Sequence, residues 1–305
     1  MPKFSATALK WIALISMFCD HLAKIVISAG KASSGSSAAM QRFFHSAGIA
    51  ALHEGLQDFG RIAFVLFAFL LIEGFRHTRS RPRYLIRLLL FALISEIPFD
   101  LAFRGKHLDP ASGILIEASY QNVLFTLSLG LLAMILAEWI FGKIRNQKPV
   151  HVQEIPGEQR RMAAAVLPAA GAVAVCMLAA HFLRCDYRAY GVAAIAAGFA
   201  IRILLEHLPG YTARMIRLLS TAAIVIPLIL ADESELWGFL ALLPVCFYDG
   251  TRQHDGGGRV GIRPGTERTK KNPARLRGVV QKYIFYLFYP GHLVLLVLLR
   301  SLVTG

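Results

Sequence analysis

Nine apolar runs divide the chain, near residues 8–29, 60–75, 84–103, 121–141, 162–183, 189–206, 217–231, 236–248 and 280–302. A helix needs about 20 mostly apolar residues to cross a bilayer. The pattern therefore predicts an all-α, polytopic transmembrane bundle of about nine spans, with eight or ten as alternatives. The second run and the three before the last are short, and they either lean on polar flanks or pair into a re-entrant hairpin. Two polar stretches interrupt the series. Residues 31–59 open as a Ser/Gly/Ala linker, KASSGSSAAM, and then place Phe43, Phe44, Ala47, Ala51, Leu52, Leu56 and Phe59 at helical spacing. That spacing predicts a helix lying on the outer membrane surface. His45 and His53 belong to its polar face, with no other ligand beside them for a metal. Residues 249–279 read as a flexible, basic, cytoplasmic loop. Its GGGR has neither the strand nor the GK[ST] of a phosphate cradle.

Composition supports the membrane reading. Hydrophobic residues make up 55% of the chain and charged residues 17%, against about 45–50% and 25% in soluble domains. The net charge of +14 could suit a nucleic acid, but in a membrane protein it reflects cytoplasmic loops rich in Lys and Arg. RHTRSRPR, KIRNQK, the Arg214–Arg217 turn and the basic stretch after residue 251 fall on one side, and the acidic turn ADESEL on the other. This places the N-terminus in the cytoplasm and the C-terminus outside. Cys19, Cys176, Cys185 and Cys246 form no CxxC or zinc spacing and read as core residues. Lys3 and Lys10 before an apolar core resemble a signal peptide, but Asp20, His21 and the lack of an A-x-A site favour a retained first span. No composition shift or internal repeat divides residues 1–305, so one domain is expected.

Ionisable residues inside such runs are costly and point to function. The first span, LKWIALISMFCDH, carries Lys10 and His21 eleven positions apart, on nearly one helix face and about 16 Å apart along its axis. One ridge thus presents a cation to an anionic ligand entering from the cytoplasm and, three turns further, a titratable base. Asp20 points about 100° away, so a His–Asp dyad does not follow from adjacency. A structural Asp/His pair bonding to neighbouring helices is the competing reading. Further polar groups are Gly60-Arg61, then Glu73 with Arg76 and His77, then Arg83 and Arg87, then Glu96 and Asp100 astride Pro98. Asn122 and Thr126 share one face, and the last span carries Tyr283, Tyr286, Tyr289 and His292. The arginines at 76–83 also serve as a topology signal, and Tyr283 and Tyr286 also suit interface anchors.

Taken in order, LKWIALISMFCDH, GRIAFVLFAFLLIEGFRHTRSRPRYLIRLLLFALISEIPFD, QNVLFTLSLGLL, CDYRAYGV and KYIFYLFYPGHLVLL resemble the TraX family, membrane proteins of conjugative transfer systems that acetylate the N-terminus of pilin. The resemblance maps the family's DH pair to Asp20-His21 and its GR to Gly60-Arg61. It maps EGF-x-HT to Glu73–Thr78, RL to Arg87-Leu88 and N-x3-T to Asn122 and Thr126. The DYG turn falls on Asp186-Tyr187, and YP-x-HL on Tyr289–Leu293. Val65 departs from the family's proline, Glu96 from its glutamine, and the DYG turn is stretched to DYRAYG. Lys10-x10-His21 is also similar to the R/K-x10-H of membrane acyltransferases that modify surface sugars with acyl-CoA.

These resemblances imply a multi-pass acetyltransferase of the bacterial inner membrane, with no resident metal and no nucleic acid partner. Acetyl-CoA would enter from the cytoplasm, with Lys10, Glu73, Arg76, His77, Arg83 and Arg87 around its phosphate end. His21 would act as base, with Asp20, Glu96 or Arg61 orienting it or stabilising the oxyanion. Asn122, Thr126, Asp186, Tyr289 and His292 would line the acceptor side. A pilin-like amine is the expected acceptor. A hydroxyl of an envelope glycan, an acyl-Cys19 route, and a transporter or assembly scaffold without chemistry remain as alternatives. Oligomeric state is not legible.

Overall fold

A computed structural model describes residues 3–33, 37–103, 119–145, 157–250 and 273–304, with side chains from 145, 157–162 and 273–282 outside that set. The first helix, α1 (Ala6–His21), starts where the Ser5 hydroxyl accepts the Ala8 N–H at 3.3 Å, a serine N-cap. It runs into one π-helical turn, Leu22–Ile27, then α2 (Ser28–Ala32). In that turn the Ser28 N–H reaches back five residues to the Ala23 carbonyl, which also accepts the Ser28 hydroxyl at 3.1 Å.

Next come α3 (Ala38–Phe44) and α4 (Ala47–Gly60), capped by Ser37 and Ser46. The Arg61 N–H bonds the carbonyls of Gln57 and Asp58, so the helical path passes almost unbroken into α5 (Ile62–His77). α4 packs along α1 and the π turn, and His53 Nε2 meets Ser28 Oγ at 3.1 Å. The amphipathic stretch thus forms α3 and α4, of which α4 is continuous with α5, with Phe43, Leu52 and Phe59 exposed and Phe44 buried against Gly30.

Eleven of the sixteen residues of α5 are buried. A helix apolar on all sides belongs in the interior. Phe69, Ile72 and Phe75 accordingly sit at the centre of the main core, among residues of α1, α7, α9 and α10. Around it stand α6 (Arg81–Phe103), α7 (Val123–Arg145), α8 (Gly157–Phe182), α9 (Arg188–Glu206) and α10 (Ala213–Ile229). A 3₁₀ helix (Glu233–Ala241), α11 (Leu242–Cys246) and α12 (Pro273–Thr304) complete the order. α12 begins within the stretch expected as basic loop, whose residues 251–272 lie outside the described residues.

The bundle has two ends. At the first, the Phe4 N–H bonds the Phe247 carbonyl and the Phe4 carbonyl accepts from Asp249, near ion pairs that join α5 to α9 and α6 to α7. At the second, Gln121 pairs with Arg184 and Asp186 through backbone hydrogen bonds, beside Arg61 and Glu235. Successive long segments pass alternately between these ends. Six described helical segments are long and apolar enough to cross a bilayer: Ala6–Ala32, Ala47–His77, Val123–Ile144, Ala163–Phe182, Arg188–Glu206 and Tyr283–Thr304. Nine were expected. α6 carries Arg87, Glu96 and Asp100 in its apolar stretch, and α10 has only 17 residues. The run near 236–248 is largely 3₁₀ helix. At about 2.0 Å per residue instead of 1.5, that geometry carries the chain from Glu235 at one end to Tyr248 at the other with few residues.

Because α5 is central and α12 is partly peripheral, their side chains should differ in cost. Ile72→Ala is expected to lower stability by about 3 kcal/mol, and Leu298→Ala, on an exposed face, by less than about 0.5 kcal/mol. Reversible unfolding in mixed micelles measures both.

Candidate active site

Asp20 and His21 close α1 as it enters the π turn. Asp20 Oδ2 pairs with Lys24 Nζ of the π turn at 2.8 Å. π turns inside helices are frequent at functional sites. His21 turns instead toward α12, where its Nδ1 lies 2.7 Å from His292 Nε2. The two ring planes agree within 9° and their centres are 5.0 Å apart. That separation exceeds the nitrogen distance by roughly two ring radii, so the imidazoles meet edge to edge in nearly one plane rather than face to face. His292 Nδ1 lies 2.9 Å from the Phe288 carbonyl. His21 Nε2 and Asp20 Oδ2 are 4.0 Å apart, beyond hydrogen-bond range.

The start of α5 is shaped to this corner. A Cβ on Gly60 would lie 2.4 Å from Asp20 Cβ, so only glycine lets the two helices close. The Ser16 hydroxyl donates to the carbonyls of Phe59 and Gly60, at 2.7 and 3.2 Å. Arg61 then reaches Glu235 at 2.6 Å and Asp232 at 3.5 Å, fastening the corner to the 3₁₀ helix. Hydrogen bonds from the Ser234 hydroxyl and N–H hold the Asp232 carboxyl below its usual range.

Across from it, the turn before α9 is strained. Arg184, Tyr187 and Arg188 have φ of 52°, 62° and 45°, a region that costs non-glycine residues energy and persists where contacts enforce it. Here the Thr126 hydroxyl bonds the Asp186 carbonyl, and Tyr120 Oη donates to Asp186 Oδ1 at 3.0 Å. The Tyr187 ring stacks on Phe64 with centres 4.1 Å apart. A Cβ on Gly191 would stand 2.5 Å from Thr126 Cγ2, so glycine is what allows this approach. Burial pushes the Asp186 carboxyl above its usual range, opposed by Lys24 and by the Tyr120 hydrogen bond.

Between these walls lies a cavity of about 480 Å³. Phe64, Phe67, Phe99 and Phe103 form its apolar side. Asp20, Asp186, Asp232 and Glu235 outnumber Lys24 and Arg61 on its polar side, with His21 between. The excess of carboxylates suits a visitor bearing an amine.

Of the residues expected from sequence, His21, Asp20, Arg61 and Asp186 line this cavity. Glu96, Asn122, Thr126, Tyr289 and His292 are not on its wall. Glu96 accepts from the Asn122 side chain, which also donates to the Ala92 carbonyl at 2.9 Å, and this clamps α6 to α7. Tyr289 is buried and accepts the Val123 N–H, while His292 stands behind His21. The phosphate-binding candidates lie toward the first end, outside the cavity lining. Glu73 pairs with Arg202 and, at 3.6 Å, with His77, and Arg76 pairs with Glu206. Lys10 Nζ sits 5.1 Å from the Phe285 ring centre, and Arg87 bonds the Tyr286 hydroxyl, so both meet α12 at neighbouring residues. Arg83 is exposed.

Sequence reasoning missed Lys24, Tyr120, Asp232, Glu235 and Arg202. Arg202 was detectable, because it is an ionisable residue inside an apolar run. Glu235 was visible only as part of an acidic turn, since nothing local indicates its burial.

The family model described as TraX protein matches residues 5–300. The chain belongs to the TraX family. One relative of this TraX protein is the probable fimbrial assembly protein FimC, serogroup H1, of Dichelobacter nodosus, 34% identical over 133 residues. The match covers 44% of this chain and 46% of the relative, less than half of either. No solved structure matches.

The Arg61–Glu235 pair provides a test of the corner, since Glu235 is almost fully enclosed, with 3% of its side chain exposed. Arg61→Met leaves that carboxyl without its partner and is expected to cost about 3 kcal/mol. Adding Glu235→Gln should restore most of the loss. A double-mutant cycle on thermal unfolding measures the coupling.

Proposed function

We propose that this TraX protein is a membrane acetyltransferase that moves an acetyl group from cytoplasmic acetyl-CoA to an amine entering from the opposite side, the N-terminal amine of a pilin-like subunit. The observation that carries this reading is His21, an imidazole presented to an aromatic-walled, net acidic cavity. The relative's name, a fimbrial assembly protein, supports a pilin-like partner. The Lys and Arg of RHTRSRPR, Lys143, Arg214 and Arg217 near the first end support a cytoplasmic N-terminus by the positive-inside rule. The bacterial inner membrane is the corresponding location.

In the reaction, the amine nitrogen attacks the thioester carbonyl carbon. A C–N bond forms, the C–S bond breaks, and the amine proton passes through His21 to the departing thiolate. Histidine suits this role because one ring nitrogen can accept a proton and return it while the other stays hydrogen-bonded. Arg61 lines the cavity; its guanidinium charge stabilises the oxyanion of the tetrahedral intermediate. Lys10, Arg83 and Arg87 receive the phosphates of the donor, and Arg76 and His77 contribute from their pairs with Glu206 and Glu73. The thioester arm then runs along the seam of α1, α6 and α12. Three contacts with α12 mark this line, Lys10 at Phe285, Arg87 at Tyr286 and His21 at His292.

His21→Ala in proteoliposomes is expected to lower acetyl transfer by at least about 100-fold, while Cys19→Ser leaves it within about twofold, as direct transfer requires. Mass spectrometry of pilin and envelope polysaccharide from a deletion strain identifies the acceptor, because only one of them loses an acetyl mass. The name of the relative also favours a second reading, an assembly factor without chemistry. Under that reading coenzyme A and acetyl-CoA produce no thermal shift in the purified protein.

A further inference from the structure

We infer that His292 is a positioning residue that fixes the tautomer of His21, and that Nε2 of His21 is therefore the atom that takes the acceptor's proton; this rests on the assignment of His21 as base. The argument begins at the Phe288 carbonyl, which can only accept a hydrogen bond. His292 Nδ1, 2.9 Å away, must carry the proton between them. In a neutral imidazole the other nitrogen is then a lone pair. That nitrogen, Nε2, faces His21 Nδ1 at 2.7 Å, too close for two lone pairs, so Nδ1 of His21 is protonated. Nε2 of His21 is left with its lone pair in the ring plane. The near-coplanar meeting of the two rings, within 9°, aligns the Nδ1–H with the lone pair that accepts it.

The relay is anchored in rigid structure. Phe288 and His292 are one turn apart on α12, so the first hydrogen bond is internal to a helix. Arg300 fixes α12 to α6 through the carbonyls of Ala102 and Leu101, at 2.7 and 2.9 Å. Asp20 cannot perform the same service, because its carboxylate lies 4.0 Å from Nε2 and makes no bond to Nδ1. A partner that holds one ring nitrogen decides what the other can do. His292 thus stands where an aspartate stands in a hydrolase triad. During transfer His21 gains the amine proton at Nε2, keeps its Nδ1–H on His292, and returns the proton from Nε2 to the thiolate sulphur. For an amine that reaches His21 as the free base, having left its ammonium proton in the water outside, no other proton acceptor or oxidant is needed.

The test uses the full chain in nanodiscs with ¹⁵N-labelled histidine, and His21→Asn identifies the His21 signals. His21 should carry its proton on Nδ1, with Nε2 unprotonated, in the wild type. In His292→Phe the Nε2–H tautomer should gain population, and kcat should fall about 100-fold with KM changed less than about threefold. His292→Gln offers an amide oxygen to the same Nδ1–H and should recover activity to within about tenfold of wild type. A wild-type His21 protonated on Nε2, or a His292→Phe enzyme with unchanged kcat, overturns the inference. Should His292→Phe not fold, the wild-type tautomer and the Gln variant decide. The tautomer is read without turnover, so a complete absence of acetyl transfer would refute the enzyme reading while the position of the proton still decides the relay.

Discussion

The hydrogen bond between His21 and His292 joins the first helix to the last, and the remaining geometry of the site is arranged around it. Two imidazoles meeting in one plane at 2.7 Å demand that α1 and α12 keep a fixed rotation and height. Phe18 and Tyr289 pack around the His292 ring, and Phe103 approaches the edge of His21. Aromatic walls of this kind exclude water, and a hydrogen bond shielded from water is stronger and more directional. Asp20, one residue earlier, leaves α1 in another direction and holds Lys24. The adjacent Asp and His therefore serve different partners, one against the α4–α5 corner and one against α12.

That corner explains why a costly set of ions is kept inside an apolar bundle. Gly60 admits Asp20, Ser16 holds the carbonyls of the corner, and Arg61 bridges to the 3₁₀ helix. Each is a close contact between backbones or buried polar atoms, and each fixes one wall of the cavity. The strained turn at 184–188 fixes the opposite wall through Tyr120, Thr126 and Phe64. This turn runs into the DYRAYG segment, and its left-handed residues are tolerated because three neighbours grip Asp186 and Tyr187. Glu96, where the resemblance leads one to expect glutamine, is a hydrogen-bond partner for Asn122. Val65, where the resemblance leads one to expect proline, is buried, and its Cγ2 lies 3.0 Å from where a Cβ on Gly238 would fall, so it packs against the 3₁₀ helix.

The helical class and the alignment of Lys10 and His21 toward one neighbour were legible because both follow from a period of 3.6 residues. His21 stood out because an ionisable group inside an apolar run is rare. What remained hidden depended on backbone choices with no local code. The π turn after His21 and the 3₁₀ path of Glu233–Ala241 leave the apolar pattern intact while changing its pitch. The continuity of α4 with α5 was hidden too, since it rests on the Arg61 N–H bonding the Gln57 and Asp58 carbonyls at a Gly-Arg junction that reads as a break. Pairing was equally hidden. Glu73 and Arg76 carry opposite charges near one helix end, but only the fold brings Arg202 and Glu206 of α9 against them. Residues that look available to an anion in the sequence are in part already neutralised.

The central claim is that donor and acceptor meet at His21, reached along the seam of α1, α6 and α12. The most direct measurement is a structure of the protein with a non-hydrolysable acetyl-CoA analogue. The account predicts the carbonyl carbon near His21 Nε2, about 3–3.5 Å from the position an attacking nitrogen would take, with the phosphates beside Lys10 and Arg87. Analogue density away from that seam, or with its acyl end remote from the His21 cavity, would contradict it.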